Sequence, residues 1–571
     1  MKNQLVADIF YQIADLLDIK GEIFFKTRAY RIAAQTIEVL EEDIEVVSRE
    51  NRLQEIPGIG KALAKKIKEI VETGRLKFFE ELKKELPEGL LKMLNISGLG
   101  PKKISSLYKN LGIKTIEELR KACLAGKLRN LDGFGVVTEN NILRGIQLLE
   151  KTSGRMLLNI AYEDGEKYID YLKKYKKIKK VSVAGSLRRM KETIGDLDIL
   201  ASSDYPDDVM DYFIKHDEVK NVLLKGSTKT SVVLNDDLQV DLRVVKDESY
   251  GAALQYFTGS KEHNVKMRSI AIKKGFKLNE YGLFDKKTDK YVVGKTEIEV
   301  YKKLGLTYIE PELRENRGEI EVASKKQLPV LIKYGDIKGD IHIHSIWSDG
   351  LQPIDKIAIY AKKIGYEYIG ISDHSQSLKI ANGLSVERIS KKISEIEKIN
   401  KKMFGIKVLC GTECDIKPDG SLDYPDNILK KLDYVIAGIH TNFKMKFGEA
   451  TNRIIKAMEN EYVDIIAHPT CRLLGKREPF DLDMDKIFDA AKETNTYLEI
   501  NSFPDRLDLN DIHSKQAKEK SVKFVIGTDS HNLNHMVFIR FGIATARRGW
   551  LEKKDILNTY SLKELEKHLG M

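Results

Sequence analysis

Hydrophobic and polar positions follow two different periods along this chain, and the change of period marks its parts. Near the start, VADIFYQIADLLDI and FFKTRAYRIAAQTIEVL carry apolar residues at three- and four-residue spacing, which predicts amphipathic helices with Lys26, Arg28 and Arg31 on the polar side. From residue 155 strands and helices alternate. RMLLNIAYEDGEKYIDYLKKY predicts a helix with a break near Asp164-Gly165. VSVAGS and DLDILAS predict strands, DDVMDYFIKH a helix, and TSVVLN with LQVDLRVV a hairpin turning at Asn235, Asp236 and Asp237. The expected product is a mixed sheet with helices on one face. Residues 315 to 336, ENRGEIEVASKKQLPVLIKYGD, are polar and then carry a proline and an apolar patch, which predicts a linker. Beyond it, amphipathic helices separate a series of apolar strands, the βαβα pattern of a barrel.

Composition narrows the picture. A length of 571 residues predicts roughly three to four domains. The chain is 42% hydrophobic and 32% charged, with a net charge of +10. That balance admits a polyanion such as nucleic acid as partner without identifying one. Cys123, Cys410, Cys414 and Cys471 are too few and too scattered for a disulfide framework. The first thirty residues carry charges throughout, unlike a signal peptide, and no apolar run approaches the roughly 18 residues of a membrane span. The expectation is a soluble, cytoplasmic protein with no membrane partner.

Candidate chemistry concentrates in two places. In GSLRRMKETIGDLDI, residues 185 onward, Asp196 and Asp198 alternate along a strand and so point to one face. Gly185-Ser186 forms a turn that can offer backbone N–H groups and a hydroxyl to a phosphate, with Arg188 and Arg189 behind it. Asp241 in LQVDLRVV supplies a third carboxylate. A phosphate cradle beside a carboxylate set suits phosphoryl transfer through divalent ions. Further on, Tyr256 and Phe257 precede a Thr258-Gly259-Ser260 turn, and His263, Asn264 and Arg268 follow on a helix. Aromatics there can stack on a sugar or base, and Asn and Arg can bond base edges; a packed aromatic pair beside a solvated helix face accounts for the same composition.

The second concentration is of histidines. His342, His344, Asp349, His374, Glu413, His440, His468, Asp529 and His531 each lie at the end of an apolar strand or just beyond it. Polar residues converging at strand C-terminal ends mark a barrel active site, and this mixture of N and O donors suits a cluster of divalent metals.

Two glycine turns precede lysine-bearing helices, PGIGKALAKKIKEI and SGLGPKKISSLYKN, with a degenerate third copy in LDGFGVVTENNIL. This is a helix-hairpin-helix pattern. Gly58, Gly60, Gly98 and Gly100 would let backbone N–H groups approach DNA phosphates irrespective of base sequence.

Residues 1 to about 318 resemble a family X DNA polymerase, the group of DNA polymerase beta. The matching pieces stand in family order: the PGIG and SGLG hairpins, GSLRR with GDLD, VDLR, YFTGS with His263, Asn264 and Arg268, and LNEYGL. The resemblance implies a multidomain chain: a helical helix-hairpin-helix domain at 1–85, helical fingers at 86–152, an α+β nucleotidyltransferase palm at 153–255 and a small thumb at 256–318, then the linker at 319–336. It implies that Asp196, Asp198 and Asp241 carry two Mg²⁺ or Mn²⁺ ions, and that Asp241 aids deprotonation of the primer 3′-hydroxyl. Gly185, Ser186 and Arg189 would hold the triphosphate of a dNTP, and Tyr256, Phe257 and Gly259 would line its sugar. Asn264 and Arg268 would sense the nascent pair from the minor groove. In relatives with 5′-deoxyribose phosphate lyase activity a lysine after the first hairpin forms a Schiff base. Gap-free alignment places Lys66 there among Lys61, Lys65 and Lys68, while another family lysine falls on Ala62; lyase chemistry and plain phosphate binding both stay open.

Residues 337–571 resemble the PHP domain, with all nine ligand positions filled. The resemblance implies a distorted (β/α)7 barrel, up to three ions of Mn²⁺, Zn²⁺ or iron, and phosphoester hydrolysis. A polymerase joined to an intact PHP domain resembles the bacterial and archaeal branch of the family. That implies 3′–5′ exonuclease activity, with 3′-phosphatase or abasic-site endonuclease activity as additions. Arg472 and Arg506, near strand ends, are candidate phosphate contacts. The expectation is a monomeric base excision repair enzyme that fills gapped or primer-template DNA and trims its 3′ ends. A DNA-end-binding scaffold and a small-molecule phosphatase are the alternatives.

Overall fold

The computed structural model describes the 571 residues except Met1, Ile23, Val39, Glu41, Asn95, Ser97, Gly98 and Ser153. The chain forms two compact units, Met1–Ser153 with Leu473–Glu478, and Gly154–Arg472 with Pro479–Met571.

The first unit is helical up to residue 153. Helices Lys2–Lys20, Phe24–Glu38, Lys61–Thr73 and Lys77–Glu85 enclose a core that includes Phe10, Ile13, Tyr30, Ile67, Ile70 and Phe79. Helix Lys61–Thr73 shows how the sequence sets its limits. Ala64, Ile67, Ile70 and Val71 recur on one face and are buried, and the helix stops where Gly74 takes φ 70° and donates to the Ile70 carbonyl, a left-handed cap that suits glycine. A second group, Pro101–Leu111, Ile116–Leu124 and Val136–Thr152, packs around Ile104, Leu107, Leu119 and Ile142.

The second unit begins with a five-stranded mixed sheet. In spatial order its strands are Lys180–Val183, Asp196–Ser202, Gln239–Val245, Lys229–Leu234 and Val219–Lys225. Only Asp196–Ser202 and Gln239–Val245 run parallel; the other neighbours are antiparallel. The helix expected to break near Asp164-Gly165 runs unbroken as Leu158–Lys173. Gly165 serves close packing instead, since a Cβ there would lie 2.8 Å from Leu187 Cδ2. Val219–Lys225 has no counterpart in the sequence reading. It is an edge strand whose consecutive Val222, Leu223 and Leu224 are exposed, so it lacks the alternation by which strands are recognised.

Helix Lys261–Lys273 and the antiparallel strands Phe276–Asn279, Gly282–Asp285 and Tyr291–Val293 follow around Met267, Leu283, Tyr301 and Leu306. The stretch 319–336, expected as a linker, is packed. Glu319–Ser324 is a helix, and Glu319 is buried because it accepts from the backbone N–H of Asn316 and pairs with His263 Nδ1 at 2.7 Å. Ile320, Ala323 and Leu331 join the thumb core, whereas the next residue, Ile332, joins the barrel core.

The barrel holds seven parallel strands in chain order: Gly339–Ile343, Tyr368–Ile371, Lys407–Asp415, Tyr434–Gly438, Ile465–Ile466, Tyr497–Asn501 and Phe524–Gly527. The His344 amide donates to Ser530 and the Ser530 amide to His342, a parallel bridge that brings the last strand's end to the first. The sheet thereby nearly closes, and its strand ends are gathered at one mouth.

Candidate active sites

The parallel pairing of Asp196–Ser202 with Gln239–Val245 sets Asp198 directly opposite Asp241. Ligand atoms of Asp196, Asp198 and Asp241 lie within 4.8 Å of one another. Asp196 is exposed, Asp198 partly so and Asp241 buried. The preceding loop passes this trio at contact distance. Gly185 has φ 58°, and a Cβ there would fall 2.2 Å from Asp198 Oδ2, so only glycine is compatible. Burial first, and then the charges of Asp196 and Asp241, push the Asp198 carboxyl up to about 7. Burial acts on Asp241 in the same direction, but Lys229 Nζ at 2.5 Å, with Ser231 and Gln239, holds its carboxyl below the usual range. Mutually repelling oxygen donors at a cleft fit a hard divalent ion. Lys229 escaped the sequence reading; the only signal for it is the register that aligns Ser231 with Asp241.

A cavity of about 420 Å³ opens in front of the trio, lined by Gly185, Ser186, Arg189, Asp196, Asp198, Tyr256, Phe257, Gly259 and Asn264. Arg155, Lys191 and Lys261, which no motif singled out, line it too and add positive charge. Arg189 Nε donates to Glu315 Oε1 at 3.0 Å and its Nη1 to the Thr258 carbonyl at 2.5 Å. Asn264 Nδ2 donates to the Tyr256 carbonyl at 2.6 Å, and its Oδ1 accepts from Gln255 Nε2 at 2.8 Å. Arg268 is exposed on the same helix as Asn264 and is not among the lining residues.

In the helical unit Gly58 takes φ 82°, and Gly60 and Gly100 precede helices Lys61–Thr73 and Pro101–Leu111. Among the described residues neither Gly60 nor Gly100 has a heavy atom within 4 Å of a built Cβ beyond its own chain neighbours, which fits turns open to a phosphate backbone. Gly98 lies outside the described residues. Lys61, Lys65 and Lys68 are exposed, but Lys66 is half-buried, with Nζ 3.3 Å from the Phe78 ring centroid and 5.9 Å from that of Tyr30. Burial lowers its pKa, against Glu69 and with help from Lys26.

At the barrel mouth all nine predicted side chains come together. Glu413 is the hub. Its Oε1 lies 3.0 Å from both His440 Nε2 and His468 Nε2, and its Oε2 lies 3.1 Å from His374 Nδ1, 3.4 Å from His342 Nε2 and 3.5 Å from His344 Nε2. Asp529 Oδ1 is 3.2 Å from His344 Nε2, and Asp349 Oδ1 is 3.4 Å from His531 Nε2. His342 Nε2, both ring nitrogens of His344, Asp349 Oδ1 and His374 Nδ1 are buried without a hydrogen-bond partner. Orphaned N and O donors converging in this way fit a resident divalent metal cluster. His468 and Asp529 hold φ of 27° and 53°, sparsely populated backbone conformations of the kind that cluster at functional sites. Burial opposes the imidazolium of His440 and His531, yet Glu413 with Asp415, and Asp349 with Asp529, raise each to about 9.

Three supporting residues were not anticipated. Glu499 Oε1 meets His342 Nδ1 at 2.6 Å, Asp415 Oδ1 meets His440 Nδ1 at 3.2 Å, and Asn501 Nδ2 donates to Asp529 Oδ2 at 3.2 Å. Such partners orient ligating side chains. Of the two candidate arginines, Arg472 has its Nε and Nη2 engaged by the Arg506 and Leu507 carbonyls and Glu192. Arg506 Nε lies 3.4 Å from Asp529 Oδ2, and its Nη1 is buried without a partner.

Comparison with known proteins gives a consistent assignment. Residues 1–76 match a helix-hairpin-helix domain, 90–147 a SAM-like helix-hairpin-helix tandem, 253–315 the DNA polymerase beta thumb and 340–503 the PHP domain. The DNA polymerase/3′-5′ exonuclease PolX of Bacillus subtilis is 41% identical over 571 residues, covering 100% of this chain and 99% of its own. Probable phosphatases of Acetivibrio thermocellus and of a Thermoanaerobacter species are 31% and 34% identical over 34% of this chain and 78% of theirs. With an end-to-end relative at that identity, the chain belongs to the family X DNA polymerases that carry a C-terminal PHP domain.

Proposed function

We propose that this protein is a DNA-directed DNA polymerase that fills short gaps during repair, and that its barrel removes nucleotides from 3′ ends as a 3′–5′ exonuclease. The observation that carries the reading is the end-to-end similarity to a DNA polymerase/3′-5′ exonuclease, in a chain whose carboxylate trio and histidine cluster both keep a complete donor set.

For synthesis, divalent ions held by Asp196, Asp198 and Asp241 would neutralise the triphosphate and ease loss of the primer 3′-hydroxyl proton. The residues themselves position the reactants. Ser186 and the backbone at Gly185 face the phosphates, with Arg189 as fixed positive charge beside them. Tyr256 and Phe257, an edge-to-face pair with centroids 5.1 Å apart, form a rest for the sugar. Gly259 keeps that floor low, since a Cβ there would lie 3.1 Å from Arg189 Nη1. Asn264 and the exposed Arg268 are suited to the minor-groove edge of the new pair. Asp241 would aid loss of the primer proton, and this needs Lys229, whose Nζ lies 2.5 Å from Asp241 Oδ2, to be displaced from the carboxylate. The oxygen-only trio suits Mg²⁺ or Mn²⁺, and the mixed barrel set suits Mn²⁺, Zn²⁺ or iron.

In the barrel, ions held by the nine ligands would activate water against a phosphoester. Arg506, whose Nε lies 3.4 Å from Asp529 Oδ2, would add fixed positive charge beside the scissile phosphate. The probable phosphatases that match 34% of this chain favour 3′-phosphatase activity as an addition, and abasic-site cleavage is the other addition proposed. Lys66, half-buried over Phe78, is the candidate lyase nucleophile. The protein works as a monomer in the cytoplasm; among the described residues no helix is long and apolar enough to cross a membrane.

The test is a labelled, one-nucleotide-gapped duplex incubated with the protein and Mn²⁺, with and without dNTPs. Extension with dNTPs and 3′ shortening without them are expected. Extension alone would assign the barrel to another phosphoester, and neither change would return the chain to a DNA-end scaffold.

A further inference from the structure

A buried chain of charges runs from the nucleotide cavity into the barrel. Arg189, on the cavity wall, donates through Nε to Glu315 Oε1 at 3.0 Å. Arg548, the last residue of the barrel helix Ile539–Arg548, donates through Nη1 to the same carboxylate oxygen at 3.0 Å and to the backbone carbonyl of Arg189 at 2.7 Å. Its Nη2 reaches Asp511 Oδ2 at 2.7 Å, which also takes Arg317 Nη2 at 2.8 Å. The side chains of Arg189, Glu315, Arg548 and Asp511 are between 7% and 15% exposed. Water therefore screens these contacts weakly.

Two consequences follow from the chemistry. The Arg189 N–H closes the short helical turn that starts at Gly185 by donating to the Gly185 carbonyl, and the Arg189 carbonyl, left without a partner inside the turn, needs an outside donor; the barrel supplies it through Arg548. Three guanidiniums also face two carboxylates, so the cluster keeps one positive charge in excess beside the cavity. Without Arg548 that excess disappears, and Glu315 is left to bind Arg189 alone, drawing its guanidinium away from the cavity.

We infer that Arg548 of the barrel is a positioning residue for nucleotide binding in the polymerase: it shares Glu315 with Arg189 and so keeps Arg189 available to a triphosphate. The inference rests on the polymerase reading above.

The test is steady-state gap filling by the full chain carrying Arg548→Ala, with 3′ shortening measured on the same preparation. The KM for dNTP should rise about tenfold, within the range of coupling between contacting residues, while kcat and the exonuclease rate stay within about twofold. Adding Glu315→Gln should bring the KM back toward the starting value, because the carboxylate that over-holds Arg189 is then gone. Arg548→Lys keeps the charge and stem but not the two-pronged bridge, and should raise the KM about threefold; it decides the matter if Arg548→Ala does not fold. An unchanged KM in the folded variant, a parallel fall of kcat and exonuclease with KM unmoved, or no relief from Glu315→Gln would each overturn the inference. Failure of the unsubstituted protein to extend a primer would instead overturn the polymerase reading.

Discussion

The two candidate sites differ in how much of each is finished before substrate arrives. In the palm, three carboxylates from two strands stand at a cleft, one exposed, one partly so and one buried. In the barrel, nine side chains from successive strand ends meet, most of them buried, with outer partners such as Glu499 and Asp415 already in place. The first arrangement suits ions that come and go with a nucleotide. The second suits ions that stay and belong to the fold. Three carboxylates from a rigid sheet take their spacing from one parallel register, with Lys229, Ser231 and Gln239 bonded to Asp241; nine imidazoles and carboxylates come with strained backbone at His468 and Asp529 and a wider surrounding net of hydrogen bonds.

Substitution within each site should separate the activities most sharply. Asp198→Ala should lower gap filling by at least about a thousandfold, several kcal/mol of lost charge stabilisation, and leave 3′ shortening intact; His344→Ala should do the reverse. Loss of both activities from either folded variant would mean that the sites are not independent. A milder break uses Gly185. Gly185→Ala places a methyl where Asp198 Oδ2 stands, and a displacement of that order should cost synthesis about a hundredfold with the exonuclease unaffected; near-normal synthesis would show that the loop yields.

Metal removal sharpens the contrast in a different currency. Dialysis against a chelator should abolish synthesis reversibly, with little change in thermal stability of the palm. At the barrel it should lower the melting temperature by about 5 °C or more, as expected for loss of a ligand bound about a hundredfold above its dissociation constant. Equal and negligible shifts would place both ion sets in the exchangeable class. The smallest effect on synthesis is expected at Lys66. Lys66→Ala should leave gap filling within about twofold but remove borohydride-trapped adduct on a 5′-deoxyribose phosphate end. Because burial lowers the Lys66 pKa, the free amine should be reached at lower pH than the ordinary lysine value of about 10.4. Trapping should therefore rise with pH and level off earlier than for an exposed lysine; undiminished trapping in the variant would move the chemistry to a neighbouring lysine.

What could be read from the sequence was local in period. Asp196 and Asp198 declare a common face because a strand alternates every two residues, and the histidines declare a mouth because each ends or follows an apolar run. Relations across long separations stayed hidden. Glu499 serves His342 from 157 residues away, and nothing in YLEIN distinguishes it from a solvated acid. Arg472 is a candidate phosphate contact by its place near a strand end, and its partners include Glu192, 280 residues earlier. The segment 319–336 predicts a linker from its polar composition and proline, whereas Glu319 is buried and paired with His263. Val219–Lys225 was missed for the opposite reason: apolar residues in a row at an open edge carry no period at all.

Leu331 and Ile332 are neighbours in the chain, and they enter two different cores, that of the thumb and that of the barrel. Trp550, which follows the barrel helix Ile539–Arg548, is a member of that same thumb core, so a cut between the polymerase and the barrel strips the core of an apolar side chain. The two halves are not modules that recombination can shuffle at a neutral seam. A lineage that discards the barrel has to rebuild the thumb's inner surface in the same step, so the two activities tend to be inherited, expressed and degraded as one object.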